Sequence, residues 1–375
     1  MKNQELLEKI DQFNRLAICG YGELGRYIED FVREKRPDKD VIIADNSLKN
    51  KTKEIILVDE ACKILENTAF LLTTRTNNTM LMHQLINNGV PARQIMDALT
   101  EEAKDFLFQK RYEIKTNPLR RIQFEVDIVS HCNLNCKSCS QFSPISKEEY
   151  IDCEEMERDF QRLGKLFRGE CERIYLIGGE PLLHQKIEEC IRISRKHFAK
   201  GKISVFTNGL LLLKKDGEFW KALRKNDVGL IVTKYPIAQN YKAMFERAQK
   251  ESVSIEYFNT TEDFKYMTNL GLDPDGLQDI KRSFALCTES NNCIKLRHGR
   301  LYTCTRPAVI RRFNEFFGLN LETSEKDSID IYQCQTGEEI LRFLATPIEF
   351  CKYCNFDYKS ATEWGVTKKE LSEWL

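Results

Sequence analysis

The sequence predicts an α/β protein in three segments, and three observations carry that prediction. Short apolar runs alternate with amphipathic helical stretches through residues 1–115. The alternation resumes over residues 120–281. Residues 282–375 are irregular and hold six of the chain's 14 cysteines. Alternating strands and helices build a parallel sheet covered by helices. A length of 375 residues predicts two or three domains, and 42% hydrophobic residues supply a large core.

In the first segment, Leu16–Cys19 reads as a strand, followed by a glycine loop, Gly20-Tyr-Gly22-Glu-Leu-Gly25, that opens an amphipathic helix to about Lys35. Val41–Ala44, Glu54–Val58 and Phe70–Thr73 read as further strands, with helices over Glu60–Glu66 and Asn78–Asn88. Gly89-Val-Pro91 ends the last helix, and Lys115–Pro118 reads as a linker. In the second segment the strands are Ile122–Val129, Arg173–Ile177, Ile203–Thr207, Gly229–Thr233 and Ser254–Phe258. Glu154–Leu166 and Lys186–Lys200 are among the helices between them. Such a run of βα units forms an open sheet or a partial barrel.

Charge and hydropathy exclude several classes. Lys+Arg and Asp+Glu both number 57, so there is no basic footprint for nucleic acid and no acidic tail. No apolar run approaches the ~20 residues of a bilayer span, and the N-terminus lacks a signal-peptide core. The expectation is a cytoplasmic protein with neither nucleic-acid nor membrane partners.

The cysteines are then unusual, because disulfides rarely persist in a reducing compartment and clustered cysteines there bind metal or do chemistry. Cys132, Cys136 and Cys139 have the spacing C-x3-C-x2-C directly after the first strand of the second segment. Three close thiolates suit an iron–sulfur cubane with one open iron. A zinc knuckle with a distant fourth ligand is the alternative. Cys287, Cys293 and Cys304 form a second group, with Cys351 and Cys354 a third. The scattered cysteines, Cys19, Cys62, Cys153, Cys171, Cys190 and Cys334, are expected by default to be buried small hydrophobes.

The stretch Cys132-Asn-Leu-Asn-Cys136-Lys-Ser-Cys139 resembles the cluster loop of the radical S-adenosylmethionine (radical SAM) superfamily. Two further stretches follow in order. Gly178-Gly179-Glu180-Pro181 matches that superfamily's element at the end of the second strand, and Thr207-Asn208-Gly209 matches a common strand end near the cofactor. The resemblance implies a partial (β/α)6 barrel with its site at the C-terminal ends of the strands. Cys132, Cys136 and Cys139 would hold a 4Fe–4S cluster. Gly178, Gly179, Glu180, Pro181, Thr207, Asn208 and the backbone of Ser138 would bind SAM, with the Glu180 carboxylate accepting from its amino group. Ser138 stands where an aromatic residue is common. The implied chemistry is reductive SAM cleavage to a 5′-deoxyadenosyl radical that takes a substrate hydrogen, with electrons from a flavodoxin- or ferredoxin-type reductant.

The C-terminal cysteines resemble the twitch extension of that superfamily, a short form of the SPASM extension. Eleven residues separate Cys287 from Gly299, four more precede Cys304, and Cys351-Lys-Tyr-Cys354 follows. The resemblance implies a second, auxiliary 4Fe–4S cluster. Five cysteines compete for four places, so Cys287 and Cys293 both remain candidates, and a structural zinc site is the alternative. The expected boundaries are 1–115, 120–281 and 282–375.

The glycine loop with Asp45 at the end of the next strand has the context of a dinucleotide fingerprint: Gly20, Gly22 and Gly25 toward phosphate, Asp45 toward ribose. The segment resembles the small Rossmann-like domains attached to sugar-modifying and surface-polysaccharide enzymes, and both nucleotide binding and a purely structural role stand open. The expected substrate is a small carbohydrate or nucleotide-linked sugar, oxidised or epimerised. Cys153, Cys171, Cys190 and Cys334, or whichever of Cys287 and Cys293 is left unassigned, are candidate hydrogen donors for epimerisation. A peptide-modifying maturase and a zinc-stabilised interaction protein are the alternatives.

Overall fold

The fold is a computed structural model and describes residues 1–47, 54–74, 78–258, 266–269, 271–355 and 360–375. The chain divides into two compact units, one of Met1–Arg111 with Lys359–Ala361, the other of Tyr112–Tyr358 with Thr362–Leu375. The first boundary therefore falls inside a helix rather than in the expected linker at 115–118.

The first unit opens with a helix, α1 (Asn3–Ile10), whose Leu6, Leu7 and Ile10 are buried. Five strands follow, β1 (Arg15–Cys19), β2 (Asp40–Ala44), β3 (Ile55–Ile56), β4 (Thr68–Leu72) and β5 (Ile95–Asp97). They pair in parallel in the order β3-β2-β1-β4-β5. Helices α2 (Glu23–Lys35), α3 (Val58–Ala61), α4 (Asn78–Asn87) and α5 (Glu101–Lys115) complete the segment. The expected helix over Glu60–Glu66 is instead the single turn α3. It starts earlier because the Glu60 carboxylate accepts the Leu57 amide at 2.9 Å. Cys19 and Cys62 lie in this unit's apolar core with Phe70 and Leu85.

The second unit is built on parallel strands β6 (Gln123–Val129), β7 (Glu170–Gly178), β8 (Lys200–Thr207), β9 (Val228–Val232) and β10 (Ile255–Tyr257). Helices α6 (Cys153–Leu166), α7 (Ile187–His197), α8 (Gly217–Lys225) and α9 (Tyr241–Lys250) lie between them. Helix α7 stops at His197, three residues short of expectation, because the chain must already enter β8 at Lys200. One face of each strand packs on the helices: Phe124, Val126 and Ile128 of β6, Ile174 and Leu176 of β7, and Ile203 and Val205 of β8 share a core with Phe160, Ile191 and Trp220. Side chains alternate along a strand, so the opposite face carries Gln123, Glu125, Asp127, Arg173, Tyr175, Ser204 and Phe206.

The C-terminal residues do not separate as a third compact unit. After a short strand β11 (Tyr266–Asn269) and helix α10 (Ile280–Leu286) come the hairpin β12 (Lys295–Arg297) and β13 (Arg300–Tyr302), then α11 (Thr305–Phe317), β14 (Ser328–Asp330) and α12 (Gly337–Leu344). Strand β12 pairs in parallel with β6, placing Lys295 beside Glu125. The sheet order is thus β10-β9-β8-β7-β6-β12-β13-β14, with the last two strands antiparallel. Residues expected to form a separate domain extend the central sheet instead. Among the described residues, no helix is long and apolar enough to cross a membrane.

Candidate functional site

Strands β6, β7 and β8 end side by side, and the three motifs read in the sequence leave from those ends. The cysteine loop follows β6. Its backbone turns through positive φ at Asn135, Ser138 and Phe142, which folds three cysteines into a compact loop. Gly178 and Gly179 end β7 against this loop. The Gly179 amide donates to the Val129 carbonyl at 2.8 Å and the Glu180 amide to the His131 carbonyl at 3.0 Å. Glycine is required for this approach: a Cβ on Gly178 would lie 2.1 Å from the Val129 oxygen, and one on Gly179 would lie 1.9 Å from the His131 oxygen.

Glu180 is fully buried. Its carboxylate accepts the Thr207 hydroxyl at 2.6 Å, the Asn208 amide at 2.8 Å and the Leu182 amide at 3.0 Å. Burial nevertheless pushes the carboxyl up from its ordinary value. These bonds tie β7 to β8 through the Glu180 carboxylate. Asn208 extends this tie to the cysteine loop, its Nδ2 donating to Asn133 Oδ1 at 2.8 Å and approaching Cys132 Sγ at 3.6 Å.

Burial raises all three loop thiols, Cys132 to about 11 and Cys136 to about 12, with Cys139 raised as well. Donors oppose that rise: the Leu134 amide reaches Cys132 Sγ at 3.4 Å and the Trp364 indole N–H reaches Cys136 Sγ at 3.3 Å. Sequence reasoning missed the segment that supplies Trp364. The C-terminal tail lies along the loop: Lys137 N donates to Gly365 O at 2.8 Å and Thr367 N to Asn135 O at 2.9 Å. Ser138 Oγ donates to Glu373 O at 2.7 Å and Trp374 Nε1 to Cys139 O at 3.0 Å. Ser138 thus serves the tail with its side chain. Only the two late tryptophans flagged this tail in the sequence, and nothing local ties them to residues 132–139.

The second cysteine group gathers after α10 and at the start of α11. Cys287, Cys351 and Cys354 lie near enough to Cys304 to raise its thiol beyond what burial does. Cys287 Sγ accepts the amides of Glu289 at 3.2 Å and Ser290 at 3.3 Å. Cys354 Sγ accepts the buried Arg306 guanidinium at 3.5 Å. The Ser283 hydroxyl on α10, one turn before Cys287, donates to the Cys354 carbonyl at 2.7 Å. The Cys293 thiol is raised by burial, by Glu125 and Glu289, and by Cys287, against Lys295.

A zinc ion and a cubane ask different spacings of their sulfurs. Zinc with Zn–S bonds of about 2.3 Å draws tetrahedral sulfurs to about 3.8 Å apart. Among the described residues, Cys153, His184 and Cys190 are the one set of three such side chains whose ligand atoms all lie within 4.8 Å of one another. Neither cysteine group is among such sets. The compact set is itself poorly prepared for a cation. His184 Nδ1 accepts the Lys186 amide at 3.0 Å, so Nε2 carries the proton toward Ile151 O at 3.3 Å, and no ring lone pair is left.

The four scattered candidate hydrogen donors lie away from both groups. Cys171, Cys190 and Cys334 belong to the helix-covered core and Cys153 packs against it. On the other face, Lys295 is fully buried, 3.1 Å from Glu125 and 2.7 Å from Asp127, with Arg312 3.4 Å from Asp127. Burial raises the Glu125 carboxyl, whereas Lys295 and Arg312 outweigh burial and lower Asp127.

In the first unit, Gly20 and Gly25 allow close backbone approach: a Cβ on Gly25 would lie 2.2 Å from the Gly20 oxygen. Gly22 has no neighbour within 4 Å of such a Cβ. Asp45, expected toward a ribose, accepts the Tyr21 amide at 2.5 Å and the Ser47 amide at 2.6 Å, one on each carboxylate oxygen.

Residues 126–234 match the family model described as the Radical SAM superfamily. That match spans β6 to the end of β9, with all three motifs. GTP 3′,8-cyclase of Aquifex aeolicus is 32% identical over 102 residues, 26% of this chain and 30% of that protein. The mitochondrial GTP 3′,8-cyclase of Arabidopsis thaliana is 26% identical over 147 residues, 38% of this chain and 35% of that protein. The chain spans about a third of the length of these curated relatives. A crystal structure of BtrN in complex with AdoMet and 2-DOIA is 16% identical, with a TM-score of 0.40 over 64% of this chain and 94% of that chain.

Proposed function

We propose that this chain is a radical SAM enzyme with a site-differentiated 4Fe–4S cluster on Cys132, Cys136 and Cys139 and an auxiliary 4Fe–4S cluster on Cys287, Cys304, Cys351 and Cys354. The observation that carries the reading is the convergence of the cysteine loop, the Gly178–Pro181 turn and the Thr207–Asn208 strand end through the Glu180–His131 and Asn208–Asn133 hydrogen bonds. When bound, the first cluster and SAM supply a hydrogen-abstracting 5′-deoxyadenosyl radical, and the second cluster supplies an acceptor for one electron. Gly178 and Gly179 let the loop seat on β7, Glu180 fixes Thr207 and Asn208, and the C-terminal tail covers the loop. A partial barrel around the charged face of the sheet, closed by a twitch-like segment, is the architecture this reading implies. The first unit's glycine loop and 3-2-1-4-5 strand order fit a Rossmann-like docking domain.

We further read the substrate as a small carbohydrate or nucleotide-linked sugar and the reaction as oxidation of an alcohol carbon, with a flavodoxin- or ferredoxin-type protein as reductant. The face bearing Glu125, Asp127, Arg173 and Tyr175 offers hydrogen-bonding groups for a hydroxyl-rich molecule. The matched curated relatives are named for a reaction of GTP, itself a nucleotide. Oxidation is preferred over epimerisation because Cys153, Cys171, Cys190 and Cys334 all sit with the helix-covered core. The test is turnover in deuterium oxide with SAM, dithionite and a panel of sugars and nucleotide sugars. A product two mass units lighter than its substrate is expected. A product isomeric with substrate and carrying one deuterium on carbon would replace oxidation with epimerisation.

A further inference from the structure

Four thiolates give a cluster one more negative charge than three do, and added negative charge makes a cluster harder to reduce. The four-cysteine group is built with an answer to that charge. Arg306 is 6% exposed, and its Nη1 donates to Cys354 Sγ at 3.5 Å. Arg306 stands in the first turn of α11, a 13-residue helix whose N-cap is Cys304. The positive end of that helix therefore also faces the group. Two backbone amides donate to Cys287 Sγ. Glu289 is the opposing charge, close enough to act on Cys304, Cys354 and Arg306. At the three-cysteine loop the donors to sulfur include an amide, an indole and a carboxamide, all three neutral, and the Arg312 charge acts on Cys139 without a hydrogen bond to its sulfur among them.

We propose that Arg306 is the charge-compensating residue of the four-cysteine centre, and that its guanidinium holds the reduction potential of that centre high enough to accept an electron. Arg306 is a positioning residue that acts through the sulfur of Cys354. The inference rests on the auxiliary cluster proposed above, so its test first establishes that cluster. The full-length chain carrying Cys132→Ala, Cys136→Ala and Cys139→Ala is reconstituted and its iron measured. About four irons per chain show the centre to be present. No iron would overturn the auxiliary-cluster reading itself, and this inference with it.

In that background, Arg306→Met and Arg306→Lys are compared by redox titration followed by electron paramagnetic resonance. Arg306→Met is expected to keep about four irons and to lower the reduced-to-oxidised ratio at fixed solution potential at least tenfold, about 59 mV for one electron. Arg306→Lys keeps the charge and is expected to stay within threefold of the parent. A ratio in Arg306→Met within twofold of the parent would overturn the inference. Should Arg306→Met fail to fold, the parent labelled with 15N-arginine decides. Pulsed resonance of the reduced centre is expected to show coupling to a guanidinium nitrogen, and its absence would overturn the inference.

Discussion

Gly179→Ala probes the seat of the cysteine loop on β7. The added Cβ would lie 1.9 Å from the His131 oxygen and 2.9 Å from the Cys132 nitrogen, both backbone atoms. Ordinary contact begins at 3.4 Å, so the loop and the strand end must part by about 1.5 Å. The Glu180 amide, now 3.0 Å from the His131 oxygen, then moves out of hydrogen-bonding range. A lost backbone bond costs about 1 kcal/mol and overpacking about 1–3 kcal/mol, for about 2–4 kcal/mol together. At roughly 2–4 °C per kcal/mol for a unit of this size, the melting temperature should fall by about 4–16 °C. Iron taken up on reconstitution should fall with it, because Cys132 is displaced directly. Thermal melting followed by circular dichroism and an iron assay reads both effects. Gly22→Ala is the control: nothing lies within 4 Å of its Cβ and its backbone is extended, so a change within about 1 °C is expected. A Gly179→Ala protein that melts within 2 °C of the parent and takes up the same iron would refute the proposed seating.

Deleting the chain from Trp364 onward removes four hydrogen bonds to the cysteine loop and the indole donor to Cys136. Reconstituted iron should drop from about eight to about four per chain, and unchanged iron would show the tail to be dispensable. Glu180 has a carboxyl raised by burial above its ordinary 4.5, so its contribution to stability is present below that value and is lost as pH rises through the raised one. The melting temperature of the parent minus that of Glu180→Gln, which does not titrate, should therefore decline as pH rises from 4.5; a difference that grows with pH contradicts the assignment. Asp45→Ala leaves the Tyr21 amide without its acceptor and should destabilise the first unit by about 1–3 kcal/mol. A nucleotide that raises the melting temperature of the parent but not of Asp45→Ala would give the carboxylate a ligand-binding role.

The strand ends were legible in the sequence because local pattern determines them. Val205-Phe-Thr207-Asn208 reads as apolar strand then turn in any context, and the observed β8 ends at Thr207. The cysteine loop was legible because its ligands lie within eight residues of one another. What escaped reading depends on contacts between distant residues. The Trp364 indole meets Cys136 across 228 positions, and no periodicity carries that distance. The link between Cys287 and Cys354, through Ser283 on α10 and the Cys354 carbonyl, likewise joins residues 71 positions apart. The donors that β8 brings to the Glu180 carboxylate were beyond reading for the same reason, since Thr207 and Asn208 lie 27 and 28 positions away.

The most direct test is SAM cleavage by the three-cysteine centre. The anaerobically reconstituted full-length protein, reduced with dithionite and given SAM, is assayed by liquid chromatography and mass spectrometry. It should be brown and form 5′-deoxyadenosine and methionine, and the Cys132→Ala, Cys136→Ala, Cys139→Ala variant should form neither. A colourless protein holding tightly bound zinc, or a triple variant that still makes 5′-deoxyadenosine, would contradict the assignment of this loop as the radical SAM site.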